Sequence, residues 1–274
     1  MLLRVTKIWV INLERDKDRL KWMGRQFGAV AFERFSAYLP ESIPTMMRER
    51  FVDGESGTPL LDGERACFAS HLGVLERMAE EAREDEYWMV CEDDLEIESA
   101  FVERVQEIDW GKEAEIIRLN EFPKAPARWV KALAGGYELV EYSRTPNGAG
   151  AYLVSRAGAK KLLDQSWGVN VAFDVLLRWV WATGIRTRGV FPPPVKQDVF
   201  GVSSIDQGGQ RRPVRRNYEL RGKTAGSQWG KRLRYLAPLC FRFGPGLIFG
   251  WVRMKLGGVK RDREGRFILG LSKS

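Results

Sequence analysis

Three consecutive acids, Glu92-Asp93-Asp94, close the short apolar run Tyr87–Cys91 (YWMVC). Carboxylates packed that densely repel one another. A divalent cation relieves the repulsion, because hard cations take carboxylate oxygens and often share them with substrate phosphates. A metal held there would stabilise negative charge on a departing diphosphate. The competing reading is a solvated acidic loop, with Asp94 capping the next helix. The triplet alone does not say which of its acids touch a metal.

Two further positions carry chemistry. Asp174 sits among Phe173, Val175, Leu176 and Leu177, and apolar neighbours raise a carboxyl pKa toward that of a useful general base. Its alternatives are acceptor binding and capping of its own helix. Glu64, Cys67, Ser70 and His71 share one helical stretch. His71 is the only histidine, which excludes HExxH zinc hydrolases. Ser70 and His71 are adjacent, so on a helix they project about 100° apart and make a poor nucleophile–base pair; there is no GxSxG elbow either. Cys67, Cys91 and Cys240 form no CxxC pair. That argues against a disulfide scaffold, an iron–sulfur site or a structural zinc, and suits a reducing cytoplasm.

The elements that must position these groups are legible from periodicity. Val5–Asn12 is β-branched and aromatic and reads as a buried strand, running into an amphipathic helix at Leu13–Phe27. Phe32–Leu61 is punctuated by prolines and glycines and reads as a strand, a turn and irregular loop. Asp62 then caps a helix from Gly63 to about Arg83, with Cys67, His71, Val74, Leu75, Met78 and Ala82 as its inward stripe. Tyr87–Cys91, Glu115–Asn120, Gly136–Tyr142 and Ala149–Ser155 read as strands, the last entering a helix at Arg156–Gln165. Val171–Trp181 reads as one amphipathic helix and Arg186–Phe191 as a last strand. Alternating strands and helices predict an α/β domain. In such sheets ligands sit beyond the carboxyl ends of the strands, which is where the acid triplet falls.

Charge divides the chain. The net formal charge is +8, but residues 211–274 hold 17 Lys+Arg against 3 Asp+Glu, net +14, leaving 27 against 33, net −6, for residues 1–210. The expected organisation is a catalytic domain at 1–208 and a basic, aromatic, partly helical extension at 209–274. Arg4 and Lys7 interrupt the opening apolar run, so no secretory signal is expected, and no apolar stretch reaches the roughly 18 residues of a spanning helix. Cations flanking Tyr235–Val252 suit an anionic membrane surface. A solvated helical extension and nucleic-acid binding are the alternatives, with nucleic acid ranked last.

Read in order, the motifs resemble glycosyltransferase family 25, the bacterial lipopolysaccharide and lipooligosaccharide galactosyltransferases to which collagen galactosyltransferases are related. Val10-Ile11-Asn12-Leu13 with Arg15 and Arg19 resembles the family's opening block; Gly63-Glu64 through Cys67, Ser70 and His71 resembles its GExxCxxSH block; Glu92-Asp93-Asp94 stands at its EDD metal motif. Gly150–Ser155 with Gly158-Ala159, Asp174, and Pro194–Gln197 with Ser204-Ile205 complete the series. Asn147-Gly148-Ala149 departs from the more hydroxylated stretch of many members.

The resemblance implies a GT-A, Rossmann-like fold and a metal-dependent inverting transfer, with Mn2+ or Mg2+ as cofactor. It implies a UDP-sugar donor, UDP-galactose first, and a lipooligosaccharide or other glycan acceptor, with the enzyme peripheral at the cytoplasmic face of the inner membrane. Asp94 with Asp93 would hold the metal or the donor ribose, Asp174 would be the base, and Glu64 and His71 would join the catalytic wall. Asn12, Arg15, Arg19, Asp93, Tyr152 and Gln197 would serve the donor. Arg15 is expected to meet a base or phosphate, Arg19 to be the more solvated. Tyr152 divides between sugar stacking and core, Gln197 between a donor-closing loop and plain surface, and His71 and Glu64 between catalysis and structural support. The alternatives to a transferase are a membrane- or nucleic-acid-binding module built on a degenerate transferase domain, and a metal-dependent phosphoryl-transfer enzyme.

Overall fold

The computed structural model describes residues 2–53, 60–120, 127–197, 200, 219–220, 223–224 and 229–243. In chain order the elements are β1 (Arg4–Asn12), α1 (Lys17–Phe27), β2 (Glu33–Ser36), α2 (Thr45–Arg48), α3 (Asp62–Glu81), β3 (Glu86–Cys91), β4 (Glu96–Ile97), α4 (Ser99–Val102), β5 (Ile116–Arg118), β6 (Ala127–Ala132) and β7 (Glu138–Tyr142). There follow β8 (Ala151–Ser155), α5 (Arg156–Gln165), β9 (Val169–Asn170), α6 (Phe173–Arg178), α7 (Val180–Thr183), β10 (Thr187–Phe191), β11 (Val195–Lys196), β12 (Glu219–Leu220), β13 (Lys223–Thr224) and α8 (Trp229–Phe243).

Eight strands form one sheet in the order β2-β1-β3-β8-β5-β10-β7-β6. β1 is parallel to β2 on one side and to β3 on the other. The chain therefore leaves β1 toward one edge and returns to its opposite flank, which makes the β1/β3 crevice the topological switch point. β8 runs antiparallel to both β3 and β5, so the sheet is mixed. This is the α/β, Rossmann-like class that the sequence predicts.

Both faces of the sheet are covered, so its central strands are largely apolar, as in Tyr87–Cys91 and Ala151–Val154. Trp9, Ile11, Trp88 and Val90 pack toward α3, α5 and α6 with Leu72, Leu75, Leu162 and Phe173. Their alternating neighbours Ile8, Val10, Met89 and Cys91 pack toward α1 and α4 with Met23, Phe27 and Phe101. Each such buried side chain contributes roughly 1.5–3 kcal/mol. These two layers fix the ends of β1 and β3 against each other.

Several local expectations are corrected. Helix α1 begins at Lys17, not Leu13, because residues 13–16 form a turn in which the Asp16 N–H donates to Leu13 O at 3.0 Å and the Asn12 side chain donates to Asp16 O at 3.0 Å. Asp62 lies inside α3; the N-cap is Leu61, whose N–H donates to the Glu64 carboxylate at 2.8 Å. The single helix expected at Val171–Trp181 breaks at Trp179 into α6 and α7. Phe173, Val175, Leu176, Leu177, Trp179 and Val180 are all buried, and a straight helix lying on one surface cannot bury residues projecting in every direction. Within the segment expected as an extension, β12 pairs with β9, while Ser204-Ile205 and most of 209–274 lie outside the described residues.

Candidate active site

The carboxyl ends of β1 and β3 meet through side chains. Asn12 ends β1 and donates from Nδ2 to Asp93 Oδ2 at 2.7 Å. Arg19, on the first turns of α1, donates from Nη1 to Asp93 Oδ1 at 3.1 Å, with side-chain exposures of 14% and 11%. Arg34 Nε holds the other end of the amide, donating to Asn12 Oδ1 at 3.1 Å. Burial pushes the Asp93 carboxyl up, and the Asn12 and Arg19 hydrogen bonds oppose that. Asp93 is thus a clamp across the switch point, with both oxygens engaged.

Glu92 turns the opposite way. Its Oε2 accepts from Gln197 Nε2 at 2.6 Å, and Gln197 Oε1 accepts from Asn120 Nδ2 at 3.2 Å. Glu92 Oε1 lies 3.2 Å from His71 Nε2, and His71 Nδ1 lies 3.1 Å from Tyr152 Oη. The His71 ring stacks on Phe173 at 4.3 Å between centroids. His71 and Tyr152 are fully buried, and burial, with Glu92 adding to it, holds the Tyr152 hydroxyl in its protonated form. In neutral His71 the tyrosine O–H donates to Nδ1 and Nε2–H donates to Glu92, so one ring satisfies both partners.

Asp174 is half-buried at the start of α6, whose N-cap is Ala172. Its Oδ1 accepts the Val175 N–H at 2.8 Å. Burial raises its pKa, opposed by the Val175 and Gly148 N–H groups and the nearby Arg118 cation. The direction suits a base, while the contact with Val175 is of the helix-terminus kind.

In front of these groups opens a cavity of about 440 Å3 whose wall includes Arg15, Arg19, Tyr38, Cys67, Glu92 and Asp94. Asp93 also reaches it. Among the described residues, Asn12, Glu64, His71, Tyr152, Asp174 and Gln197 are not part of that wall. His71 stands one layer behind it, touching Glu92, which corrects its expected place in the wall. The expectation that Arg19 is the more solvated of the two arginines is corrected. Arg19 is fixed on Asp93, whereas Arg15 is 54% exposed beside Asp16, because the helix starts four residues later than the periodicity implies and carries Arg19 back over the end of β1. Tyr152 belongs to the core, and Gln197 to the network around Glu92 and not to plain surface. The acid triplet does not sit as a solvated loop: Asp93 and Asp94 are both buried.

Residues 5–177 match the glycosyltransferase family 25 (LPS biosynthesis protein) family. The match covers more than half of the chain. The protein belongs to glycosyltransferase family 25. Its relatives include procollagen galactosyltransferase 1 of Danio rerio, 28% identical over 178 residues covering 57% of this chain and 28% of that protein. Lipooligosaccharide biosynthesis protein lic2B of Haemophilus influenzae is 26% identical over 165 residues, 56% of this chain and 61% of that protein. A third, the probable inactive glycosyltransferase 25 family member 3 of Bos taurus, is 28% identical over 172 residues, 57% of this chain and 28% of that protein. The chain thus spans less than two thirds of the curated relatives it matches.

Arg118 is the residue of this family 25 protein that sequence reasoning passed over. It ends β5, is fully buried, and donates from Nη2 to Asn147 O at 3.0 Å and to Gly148 O. Arg178 Nη1 donates to Asn147 Oδ1 at 2.8 Å. The Asn147-Gly148-Ala149 segment is therefore built on two arginines. The signal in the sequence was a cation, Arg118, set directly between the apolar pair Ile116-Ile117 and Leu119, where a buried charge requires partners. Gly150 belongs to the same construction, since a Cβ there would lie 2.6 Å from Gln197 Oε1.

Proposed function

We propose that this protein transfers a sugar from a nucleoside diphosphate donor, UDP-galactose, to a hydroxyl of a lipooligosaccharide or other glycan, with inversion. The observation that carries the reading is the Asn12–Asp93–Arg19 clamp at the switch point, beside Asp94 in the wall of a cavity of nucleotide-sugar size. Family membership supports it, and so do the names of the galactosyltransferase and lipooligosaccharide relatives.

The donor set suits a hard divalent cation such as Mn2+ or Mg2+, since the wall offers carboxylate oxygens. Arg19 already lies on Asp93 Oδ1, and a second cation on that oxygen would meet its repulsion. Asp94 is therefore the residue that would hold the metal, with Asp93 setting its position. When bound, the cation neutralises charge developing on the leaving diphosphate. Arg15, at the cavity and exposed, meets a phosphate; Ile11, Leu13 and Leu39 in the wall suit the flat base. Asp174, whose pKa burial raises and which lies outside the cavity wall, would take the proton of an acceptor hydroxyl that reaches it as the new C–O bond forms and the glycosyl–phosphate bond breaks. Glu64, folded onto Leu61 N–H, acts by fixing the start of α3.

The acceptor side is proposed to lie at an anionic membrane surface on the cytoplasmic face. No helix of the described residues is long and apolar enough to cross a membrane. Helix α8 carries exposed Lys231, Arg232 and Arg234, with Trp229 and Leu233 four residues apart and 56% and 57% exposed. Cations and a tryptophan on one helix suit binding in the headgroup region.

Calorimetric titration of UDP with and without Mn2+ tests the donor site. Metal-dependent binding to the wild type that disappears in Asp94→Ala is the expected result. No UDP binding in either condition sinks the proposal and favours the binding-module reading; one relative in the family is named as probably inactive.

A further inference from the structure

Cys67 and His71 are four residues apart on α3, so they share one face of the helix. Glu92 arrives from the end of β3. One ligand atom from each, the Cys67 thiol, a His71 ring nitrogen and a Glu92 carboxylate oxygen, all lie within 4.8 Å of one another. Two of them, Nε2 and Oε1, are 3.2 Å apart. Bonds of about 2.0–2.3 Å from a common ion place tetrahedral ligands about 3.3–3.8 Å apart, so a sub-rotamer contraction closes the set.

From these positions we infer a second cation site in this protein: a thiophilic divalent ion, zinc by chemistry, held by Cys67 Sγ, His71 Nε2 and Glu92 Oε1. Three protein ligands leave one position open, and Cys67 and Glu92 both line the cavity, so that position faces it. On binding, the Cys67 thiol loses its proton to solvent, and His71 carries its remaining proton on Nδ1, donating to Tyr152 Oη.

The surroundings are those a metal site needs. Ligating histidines have their second nitrogen hydrogen-bonded, and ligating carboxylates are held by neighbours. Here Tyr152 stands 3.1 Å from Nδ1 and Gln197 donates to the second Glu92 oxygen at 2.6 Å. Phe173 stacked on the imidazole fixes the ring plane. The local field is negative: burial foremost, then Glu92, Asp174, Asp94 and Glu64, push the Cys67 thiol well up. A cation reverses that penalty, since a coordinating thiol is deprotonated outright. The absence of a CxxC pair is no obstacle, because the thiol and imidazole share a helical face and the third ligand comes from a distant strand.

This site shares the cavity with Asp94 but uses a different ligand set, and it does not depend on the transferase reading. Metal-free, reduced full-length protein is titrated with Co2+ and followed by absorption. One cobalt per chain is expected, with the thiolate-to-cobalt charge-transfer band and the intense visible bands of four-coordinate cobalt, displaced by Zn2+. Cys67→Ser, near-isosteric and checked for fold by circular dichroism, is expected to lose the charge-transfer band. Gln197→Ala is expected to weaken binding about 10–100-fold, as supporting residues of metal sites do. Asp94→Ala is expected to keep the bands. No charge-transfer band in the wild type, a band that survives Cys67→Ser, or bands lost in Asp94→Ala would each overturn the inference.

Discussion

Replacing Arg19 with methionine keeps the length of the side chain and removes the guanidinium from Asp93. The pair is 3.1 Å apart with 14% and 11% side-chain exposure, so among the described residues the buried carboxylate keeps the Asn12 hydrogen bond and loses its cation. Breaking a buried pair from one side costs about 3–5 kcal/mol, because the remaining charge is uncompensated. The Arg19 guanidinium now lies over the Phe200 ring at 5.1 Å as a cation–π pair; methionine loses that attraction but can set its thioether against the same ring, so the lower end, about 3 kcal/mol, is expected. At about 2–4 °C per kcal/mol for a domain near this size, the melting temperature falls by about 6–12 °C. Urea denaturation of Arg19→Met, Asp93→Asn and the double variant forms the cycle that isolates the pair. The double variant is expected to recover most of the loss, since the amide that replaces the Asp93 carboxylate brings no charge to bury. A loss below about 1 kcal/mol in Arg19→Met, in the range of surface ion pairs, or no recovery in the double variant, would refute the clamp.

Gly150→Ala places a methyl 2.6 Å from Gln197 Oε1 and is expected to destabilise by about 1–3 kcal/mol through overpacking, visible in thermal melts. Tyr152→Phe strips the hydroxyl from His71 Nδ1 and leaves a buried nitrogen unanswered, a loss of about 1–3 kcal/mol measurable by urea titration. Asp174→Asn is expected to abolish transfer yet raise stability at neutral pH. Burial lifts the folded pKa of Asp174 above 3.8, so folding favours the protonated form. The ionised carboxyl therefore costs nothing below 3.8 and its full penalty above the folded pKa. The stabilisation conferred by Asp174→Asn should vanish as the pH of the melt falls through that window; a gain that is independent of pH would contradict the assignment.

Sequence patterning made the switch point legible. Val5–Asn12 and Tyr87–Cys91 are largely apolar runs, which a strand covered on both faces requires, and polar residues begin where each strand leaves the core. That places Asn12 and the acid triplet at one end of the sheet before any contact is known. What the patterning did not carry was the division of labour among the three acids, which depends on partners far along the chain: Glu92 faces Gln197 and His71, Asp93 faces Asn12 and Arg19. The start of α1 was missed because Asn12 satisfies Asp16 O with its side chain, a local competition with the helix that periodicity does not register. Strand β6 escaped notice because it is a half-exposed edge strand whose pairing with β7, including Arg128 to Glu141 at 2.8 Å, supplies what its sequence pattern lacks. Arg118 lay hidden for a related reason: its partners are backbone carbonyls of a loop roughly thirty residues away.

The most direct test of the nucleotide-sugar site is a crystal soaked with UDP and Mn2+ and measured for manganese anomalous scattering. The expected result is an anomalous peak at the Asp94 carboxylate, with UDP in the β1/β3 crevice and Arg19 still on Asp93. UDP bound away from the β1/β3 crevice, or a manganese that displaces Arg19 from Asp93 and leaves Asp94 unligated, would contradict it.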